Sequence, residues 1–223
     1  MTLHTLSYLV HVGLGSLALL TFWTSGLSRK GSPVHRTSGK LYLLAMTGLL
    51  LAAVPLTATL AARNPVAGGF LAYLIIITIT SVWTSWRAVK DKRDWARFTG
   101  PVYRVLMVAN LASGLAIAYV GLFVTNQMQV IFVAFSSIGI IGAVNMWRFS
   151  RREPDDARWP LRQHLGAMLG NGVATHIAFL TIGLPKVLPF LAGSSLLNLS
   201  WLAPLVVATL AGAYLTRKYV PKR

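Results

Sequence analysis

Long apolar segments, free of charged residues apart from one arginine near the start of two of them, recur seven times along the chain. Each segment is 20 to 25 residues long, and an α-helix needs about 20 residues to cross a hydrocarbon core of about 30 Å. The pattern therefore predicts an all-α integral membrane bundle of seven transmembrane helices, folded as one domain over residues 1–223. The predicted spans are Leu3–Leu27, Leu41–Ala62, Val66–Trp86, Pro101–Val124, Met128–Trp147, Leu161–Leu184 and Leu196–Leu215.

The composition supports a membrane protein and excludes soluble classes. Hydrophobic residues make up 55% of the chain and charged residues 12%, whereas soluble domains average about 45–50% and about 25%. Too little chain remains outside the spans for a soluble enzyme or a nucleic-acid-binding domain. The net charge of +16 therefore does not indicate a nucleic-acid partner, and its cause is the distribution of basic residues between the loops.

Basic residues lie almost entirely on one side of the predicted bundle. Nineteen of the 21 lysines and arginines flank alternate loops or the carboxyl terminus, and only Arg63 and Lys186 lie on the opposite side. Because loops rich in Lys and Arg stay in the cytoplasm, the sequence predicts an N-terminus outside and a cytoplasmic C-terminus. The lipid bilayer is the predicted partner, with anionic lipid at the cytoplasmic face.

The order of the spans leaves an internal repeat open. Spans 1–3 and spans 5–7 have the same predicted orientation, which is compatible with a parallel three-plus-one-plus-three repeat over residues 1–98 and 128–223. Such a repeat would favour a facilitator or binder of a small or lipophilic ligand. The absence of Asp and Glu from every span argues against proton coupling by a carboxylate.

Histidines are the candidates for chemistry, since the chain has no cysteine and the spans have no carboxylate. His11 and His176 each lie eight residues, about 12 Å, from the outer boundary of their spans. His35 and His164 lie at the inner boundary. Two opposed imidazoles at one depth are the ligands of a six-coordinate haem b, so the two levels predict two candidate haem sites.

The spacing within span 6 is less favourable to that hypothesis. His164 and His176 are twelve residues apart, which places them about 120° from a common helix face. An i+4 ridge of His164, Met168, Gly172 and His176 would leave a gap at Gly172 for a flat ligand. The alternative is that each buried histidine only donates a hydrogen bond to a carbonyl group or to a neighbouring Thr or Asn.

The inner histidine belongs to a motif that resembles a known family. The segment His35–Tyr42 reads HRTSGKLY and is similar to the HRxxGxxY signature of the bacterial membrane proteins grouped as domain of unknown function 2306. Segments His11–Gly15 and Arg162–Gly170 are also similar to that family. The resemblance implies a multi-pass protein of the bacterial inner membrane and supplies no activity. The chain departs from the pattern at His176, where related chains carry an aliphatic residue.

The same motif also has a purely structural interpretation. Thr37 or Ser38 can cap the second span, and Arg36 with Lys40 can bind lipid phosphates while Tyr42 lies at the membrane interface. This interpretation requires no cofactor.

Small and amide residues predict how the spans pack. Residues that recur every four positions in span 6 predict a close helix contact, and pairs in spans 4 and 5 predict intramolecular packing. Asparagine side chains inside spans need partners, because lipid supplies none. The small residues are Gly166, Gly170, Ala174 and Ala178 in span 6, Gly114 and Ala118 in span 4, and Gly139 and Ala143 in span 5; the amides are Asn110, Asn145 and Asn171.

Three functions therefore remain open from the sequence. The first is a haem-binding membrane redox protein with His11, His176, His35 and His164 as candidate axial ligands. The second is the facilitator or binder of a small or lipophilic ligand. The third is an accessory membrane subunit that presents its basic loops to a partner or to anionic lipid.

Overall fold

The computed structural model describes residues 2–126, 128–189 and 197–220, and all regular structure in these ranges is helical. Seven helices in the described chain are long and apolar enough to cross a membrane, which confirms the predicted number of spans. The helices are α1 (Leu3–Leu27), α2 (Pro33–Ala61), α3 (Pro65–Lys90), α4 (Trp95–Phe98), α5 (Pro101–Phe123), α6 (Gln129–Arg151), α7 (Trp159–Ala178), α8 (Leu184–Val187) and α9 (Leu197–Tyr219).

Most boundaries agree with the predicted spans to within a few residues. A π-helical turn, Phe179–Gly183, joins α7 to α8. Pro185 follows it and has no backbone N–H to donate, which favours a local change of hydrogen-bonding pattern. The predicted seventh span begins at Leu196, which lies outside the described residues. Lys222 and Arg223, two of the basic residues counted at the carboxyl terminus, also lie outside them.

The second helix begins eight residues before the predicted span. Ser32 caps α2, with its hydroxyl accepting from the backbone N–H of His35 at 3.2 Å, and Pro33 occupies the first helical turn. This Ser-Pro start is a favourable helix N-terminus. The prediction that Thr37 or Ser38 caps the helix was therefore wrong, and the whole HRTSGKLY motif lies within α2.

The carboxyl ends of α1, α3 and α6 contact the amino ends of α2, α7 and α5, respectively, which places the basic loops at one end of the bundle. We call this the basic end; it contains the carboxyl ends of α1, α3 and α6 and the amino ends of α2, α5 and α7. Helix α3 is central, since it packs against α2, α5 and α7, while α1 packs on α2, α6 on α5 and α9 on α7.

The contact between α5 and α6 confirms the packing predicted from small residues. A Cβ atom on Gly114 would lie 3.1 Å from the backbone nitrogen of Ile140, and one on Gly139 would lie 3.0 Å from the backbone oxygen of Asn110. Ala143 is also buried. These residues therefore pack within the chain, as expected for small residues that let two helices approach closely.

The small-residue face predicted for span 6 was wrong in its details. A Cβ atom on Gly166 would meet no atom within 4 Å, and Ala178 is exposed. Gly170 approaches Ser81, with 3.1 Å from its ideal Cβ to the hydroxyl oxygen, but the tightest position on α7 is Gly172. The rotation of α7 about its own axis determines which glycine faces α1 or α3. The spacing of residues along the sequence does not encode that rotation.

Two of the three amides in the spans have the hydrogen-bond partners that were expected. Asn110 donates to the Thr80 hydroxyl at 2.6 Å, which joins α5 to α3. Asn171 donates to the Ser85 hydroxyl at 3.1 Å, which joins α7 to α3. Asn145 is instead exposed on α6.

Replacement of Gly139 by Leu should destabilise the bundle by roughly 1–3 kcal/mol, because the added side chain overpacks a closed contact. Its Cβ alone would lie 2.8 Å from the Tyr73 hydroxyl, which accepts from the Gly139 N–H at 3.0 Å. Gly142→Leu is the matched control on the same helix, since a Cβ there meets nothing within 4 Å. Thermal unfolding in detergent, followed by size-exclusion chromatography after heating, measures both. Equal melting temperatures for the two variants would contradict this packing.

Candidate functional site

The candidate site lies at the basic end, where α1, α2, α3 and α7 meet around two histidines. His35 is half-buried in the first turn of α2. Its Nδ1 lies 3.0 Å from the backbone carbonyl oxygen of Ser25, near the end of α1. The Ser25 hydroxyl also donates to the His35 carbonyl oxygen at 3.3 Å. The imidazole is therefore held against α1 through its Nδ1–H.

His164 is held in the same way by a different helix. It is half-buried in α7, and its Nδ1 lies 3.0 Å from the carbonyl oxygen of Ser85 on α3. His164 interacts electrostatically with His35 and with Lys30. The two inner histidines therefore lie in one neighbourhood, although they are 129 positions apart in the sequence.

These hydrogen bonds determine which ring nitrogen is available for a ligand. A carbonyl oxygen can only accept, so both imidazoles carry their proton on Nδ1 when neutral. The lone pair is then on Nε2, for which the described residues provide no hydrogen-bond donor at either histidine. A backbone carbonyl that accepts from the second nitrogen is the usual support of a metal-bound imidazole.

A basic group and an apolar wall border this pair. Lys30 lies in the loop between α1 and α2 and donates to the carbonyl oxygens of Gly26 and Ser25, at 2.5 and 3.4 Å. Partial burial lowers the pKa of Lys30 from its ordinary value. Met168, one turn after His164, packs with Trp86 against the apolar cluster formed by α1 and α2.

A buried chain of hydrogen bonds leads from His164 toward the membrane interior. Ser85, whose carbonyl holds His164, accepts from Asn171 through its hydroxyl. The Asn171 carbonyl oxygen accepts from the Thr175 hydroxyl at 2.9 Å. Thr175 in turn lies 2.9 Å from the hydroxyl of Tyr42. The chain ties α7 to both α2 and α3 behind the histidine pair.

Both nitrogens of His176 are already engaged. Its Nδ1–H donates to the Gly172 carbonyl oxygen at 2.7 Å, and its Nε2 accepts from the Trp23 indole N–H at 3.0 Å. Phe22 and Trp23 both pack edge-on against the ring. His176 could bind a metal only after losing the bond to Trp23.

The structure does not bring His11 and His176 to one depth. His11 donates to the Leu49 carbonyl oxygen at 3.3 Å. Trp23, which contacts His176, lies twelve residues farther along α1, a distance of about 18 Å. Counting from the span boundaries had placed the two histidines opposite each other. That count assumed that all helices have the same tilt and that their spans begin at the same depth. The contact between Trp23 of α1 and His176 of α7 shows that this assumption does not hold.

The gap expected at Gly172 is closed. A Cβ atom on Gly172 would lie 2.5 Å from the Phe22 ring, so the aromatic side chain fills the notch in the ridge of α7. No space remains there for a flat ligand, and the glycine instead permits close packing of α1 on α7.

The three residues expected at the lipid interface behave differently from one another. Arg36 and Lys40 are exposed at the basic end, where they can reach lipid headgroups. Tyr42 is 0% exposed and packs in the core between Phe22 and Thr175. The expectation that Tyr42 lies at the interface was wrong, because the motif forms the first turns of a helix and this residue faces inward.

Sequence reasoning missed the residues that orient the histidines. Ser25 and Ser85 contribute backbone carbonyl oxygens, and Lys30 contributes positive charge. None of the three belongs to a recognisable motif. Any residue type can supply a backbone carbonyl, so no sequence signal could have identified Ser25 or Ser85 in that role. Lys30 had been placed only among the basic loop residues.

Comparison with known proteins adds no relative. No family model, no curated protein and no solved structure matches the chain.

Proposed function

We propose that the protein is a b-type haem-binding redox protein of the bacterial inner membrane, with His35 and His164 as the axial ligands. One observation carries this proposal: the Nδ1 atoms of both imidazoles are bonded to backbone carbonyls on separate helices, at 3.0 Å each. That arrangement directs the remaining lone pair of each ring to Nε2, which is the atom that binds haem iron.

The surroundings of the pair are compatible with the other parts of a haem. Lys30 interacts electrostatically with His164, and an anionic propionate beside Lys30 would offset the burial that lowers its pKa. Met168 and Trp86 offer apolar surface of the kind that a macrocycle contacts. When bound, haem would supply one-electron transfer, and the residues of this chain would bind and orient it.

Only the inner pair is retained in this proposal. His176 has no unengaged nitrogen, and His11 lies at a different depth, so we propose structural roles for both. The proposal thus contains one haem at one end of the bundle and no second haem toward the opposite face. Arg36 and Lys40 are proposed to contact lipid phosphates beside the site.

An absorption spectrum of the purified wild-type protein tests the proposal. After expression with a haem precursor supplied, the protein should show a Soret band and the reduced-minus-oxidised bands of a low-spin bis-histidine haem. Titration with haem should saturate at one per chain. A protein that stays colourless under these conditions would overturn the assignment.

A second candidate function is binding of a small or lipophilic ligand. Asn171 is 0% exposed, and its side-chain oxygen accepts no hydrogen bond from the described part of the protein. A buried amide oxygen favours a guest that donates a hydrogen bond. A colourless wild-type protein would favour this function, and the three-plus-one-plus-three repeat would then be the corresponding architecture.

The orientation belongs to the same proposal. The basic end carries most of the lysines and arginines, so we place it, the haem and the C-terminus in the cytoplasm and the N-terminus outside. The similarity of HRTSGKLY to the family named domain of unknown function 2306 is likewise proposed to reflect common descent; it supports the location and no activity.

A reporter that works only in the cytoplasm should be active when it is fused after Arg223. The reason is the strong asymmetry of basic residues between the two ends of the bundle. A second fusion of the same reporter between α2 and α3, at Arg63, should be inactive. The reverse result from an export-dependent reporter would place the haem site at the outer face.

A further inference from the structure

A charged cavity of about 270 Å³ lies at the basic end, in the connection from α3 to α5. It is lined by Lys90, Asp91, Lys92, Arg93, Asp94 and Arg97. The short helix α4 forms one side of it. None of the residues that line the cavity belongs to the HRTSGKLY motif or to the candidate haem site.

The two carboxylates in the lining are engaged by the protein itself. Asp91 is 4% exposed and forms ion pairs with Arg87 and with Arg97, the latter at 3.6 Å. Asp94 caps α4 by accepting from the backbone N–H of Arg97 at 2.8 Å. Both carboxylates therefore stabilise the loop itself.

Three cations in the lining have no such partner in the part of the chain that the structure describes. Within the described ranges, Lys90, Lys92 and Arg93 have no carboxylate at ion-pair distance. All three side chains are exposed. The cavity therefore presents uncompensated positive charge around a buried, ion-paired aspartate.

A buried aromatic cluster anchors the loop that lines the cavity. Phe98, the last residue of α4, is 0% exposed and packs against Trp159 and Tyr103, with ring centroids 5.2 and 5.4 Å apart. Trp83 and Phe149 complete this aromatic cluster. The cluster joins α3, α4, α5, α6 and α7, so the loop is held in position before any ligand arrives.

We propose that this cavity binds a phosphate group, supplied by the headgroup of an anionic phospholipid. Ammonium and guanidinium groups are the side chains that bind phosphate. The cavity also lies where α3 ends and α5 begins, which is the level of lipid headgroups for two spanning helices. A soluble phosphate compound has the same chemistry, and the experiment distinguishes the two sources.

The test measures retention of phosphatidylglycerol by the purified full-length protein with native mass spectrometry, against phosphatidylcholine. The variant Lys92→Gln/Arg93→Gln should weaken phosphatidylglycerol binding about tenfold or more. The control Arg151→Gln/Arg152→Gln removes the same charge from the α6–α7 connection at the same end, where Arg152 pairs with exposed Asp155, and it should leave binding unchanged. Lys90→Gln is a second test variant in case the double variant folds poorly, as judged by its melting temperature.

Inorganic phosphate provides the second arm. Titration of the wild-type protein with phosphate, followed by ³¹P NMR, should show weak binding, and millimolar phosphate should not displace phosphatidylglycerol. Tight phosphate binding that the cavity variant abolishes would overturn the lipid source. Equal loss of lipid in both double variants, or no loss in either, would overturn the cavity as a phosphate site.

Discussion

His35→Ala and His164→Ala should each abolish the low-spin haem spectrum. Either change removes one of two axial nitrogens, and no cysteine is present in the chain to replace it. The carbonyl groups that orient the rings, from Ser25 and Ser85, would remain in place but cannot bind haem iron in the same way. Absorption spectra of variants purified with a haem precursor measure the effect, and the expected result is near-complete loss.

The other histidines are the controls for this experiment. His4 is exposed, His11 is bonded to Leu49, and His176 is bonded at both nitrogens. Alanine at any of these positions should leave the Soret band in place. Loss of haem in His11→Ala and His176→Ala, with retention in His35→Ala, would contradict the assignment of the inner pair.

Chemical rescue separates loss of a ligand from loss of the fold. His35→Gly leaves space for a free imidazole, so added imidazole should restore a low-spin spectrum if His35 is an axial ligand. A variant that had merely lost its structure would not respond. Melting temperatures in detergent provide the independent check, since the bond from His35 to Ser25 also ties α1 to α2.

Gly68→Ala should lower the melting temperature sharply although it adds a single methyl group. The new Cβ would lie 2.3 Å from the Cα and 2.7 Å from the backbone nitrogen of Ala61. Backbone atoms cannot rotate away as a side chain does. The connection between α2 and α3 is also only three residues long, with Asn64 capping α3 through the Ala67 N–H at 3.0 Å. We expect a cost of roughly 3 kcal/mol, at the upper end of overpacking effects.

The adjacent glycine, Gly69, provides a control, because alanine there should not lower the melting temperature. A Cβ on Gly69 would meet nothing within 4 Å, and alanine is favoured over glycine in a helix by about 1 kcal/mol. Gly69→Ala should therefore leave the melting temperature unchanged or raise it. If the two alanine variants unfold together, the close approach of α2 and α3 at Ala61 is incorrect.

Sequence reasoning predicted the number of spans because hydrocarbon thickness imposes a length and a composition on each one. The predicted start of α2 was too late, because the hydropathy pattern excludes Arg36 and Lys40 from the span. A helix, however, requires only that its backbone groups are satisfied and its end is capped. Polar residues in the first turns can face water or headgroups without ending the helix. The Ser32-Pro33 pair was the local signal that could have corrected this boundary.

Candidate histidines were identifiable from residue chemistry, whereas their grouping was not. His35 and His164 were predicted at one level, and their pairing as ligands of one haem stays a prediction. His11 and His176 were also predicted at one level, and the contact of Trp23 with His176 places them apart. Depth counted along a chain depends on the tilt of each helix, which packing against neighbours determines.

Residue types and their order along the chain were sufficient to establish a seven-helix membrane-type architecture, its basic end and the chemistry that its buried side chains could perform. The tertiary structure alone decided which imidazole nitrogen is engaged, that Phe22 closes the notch at Gly172, and that Tyr42 is buried. These outcomes depend on contacts between helices that are distant in sequence. Hydrophobic matching to the bilayer constrains each helix separately, and only packing of the helices against one another selects their rotations and tilts.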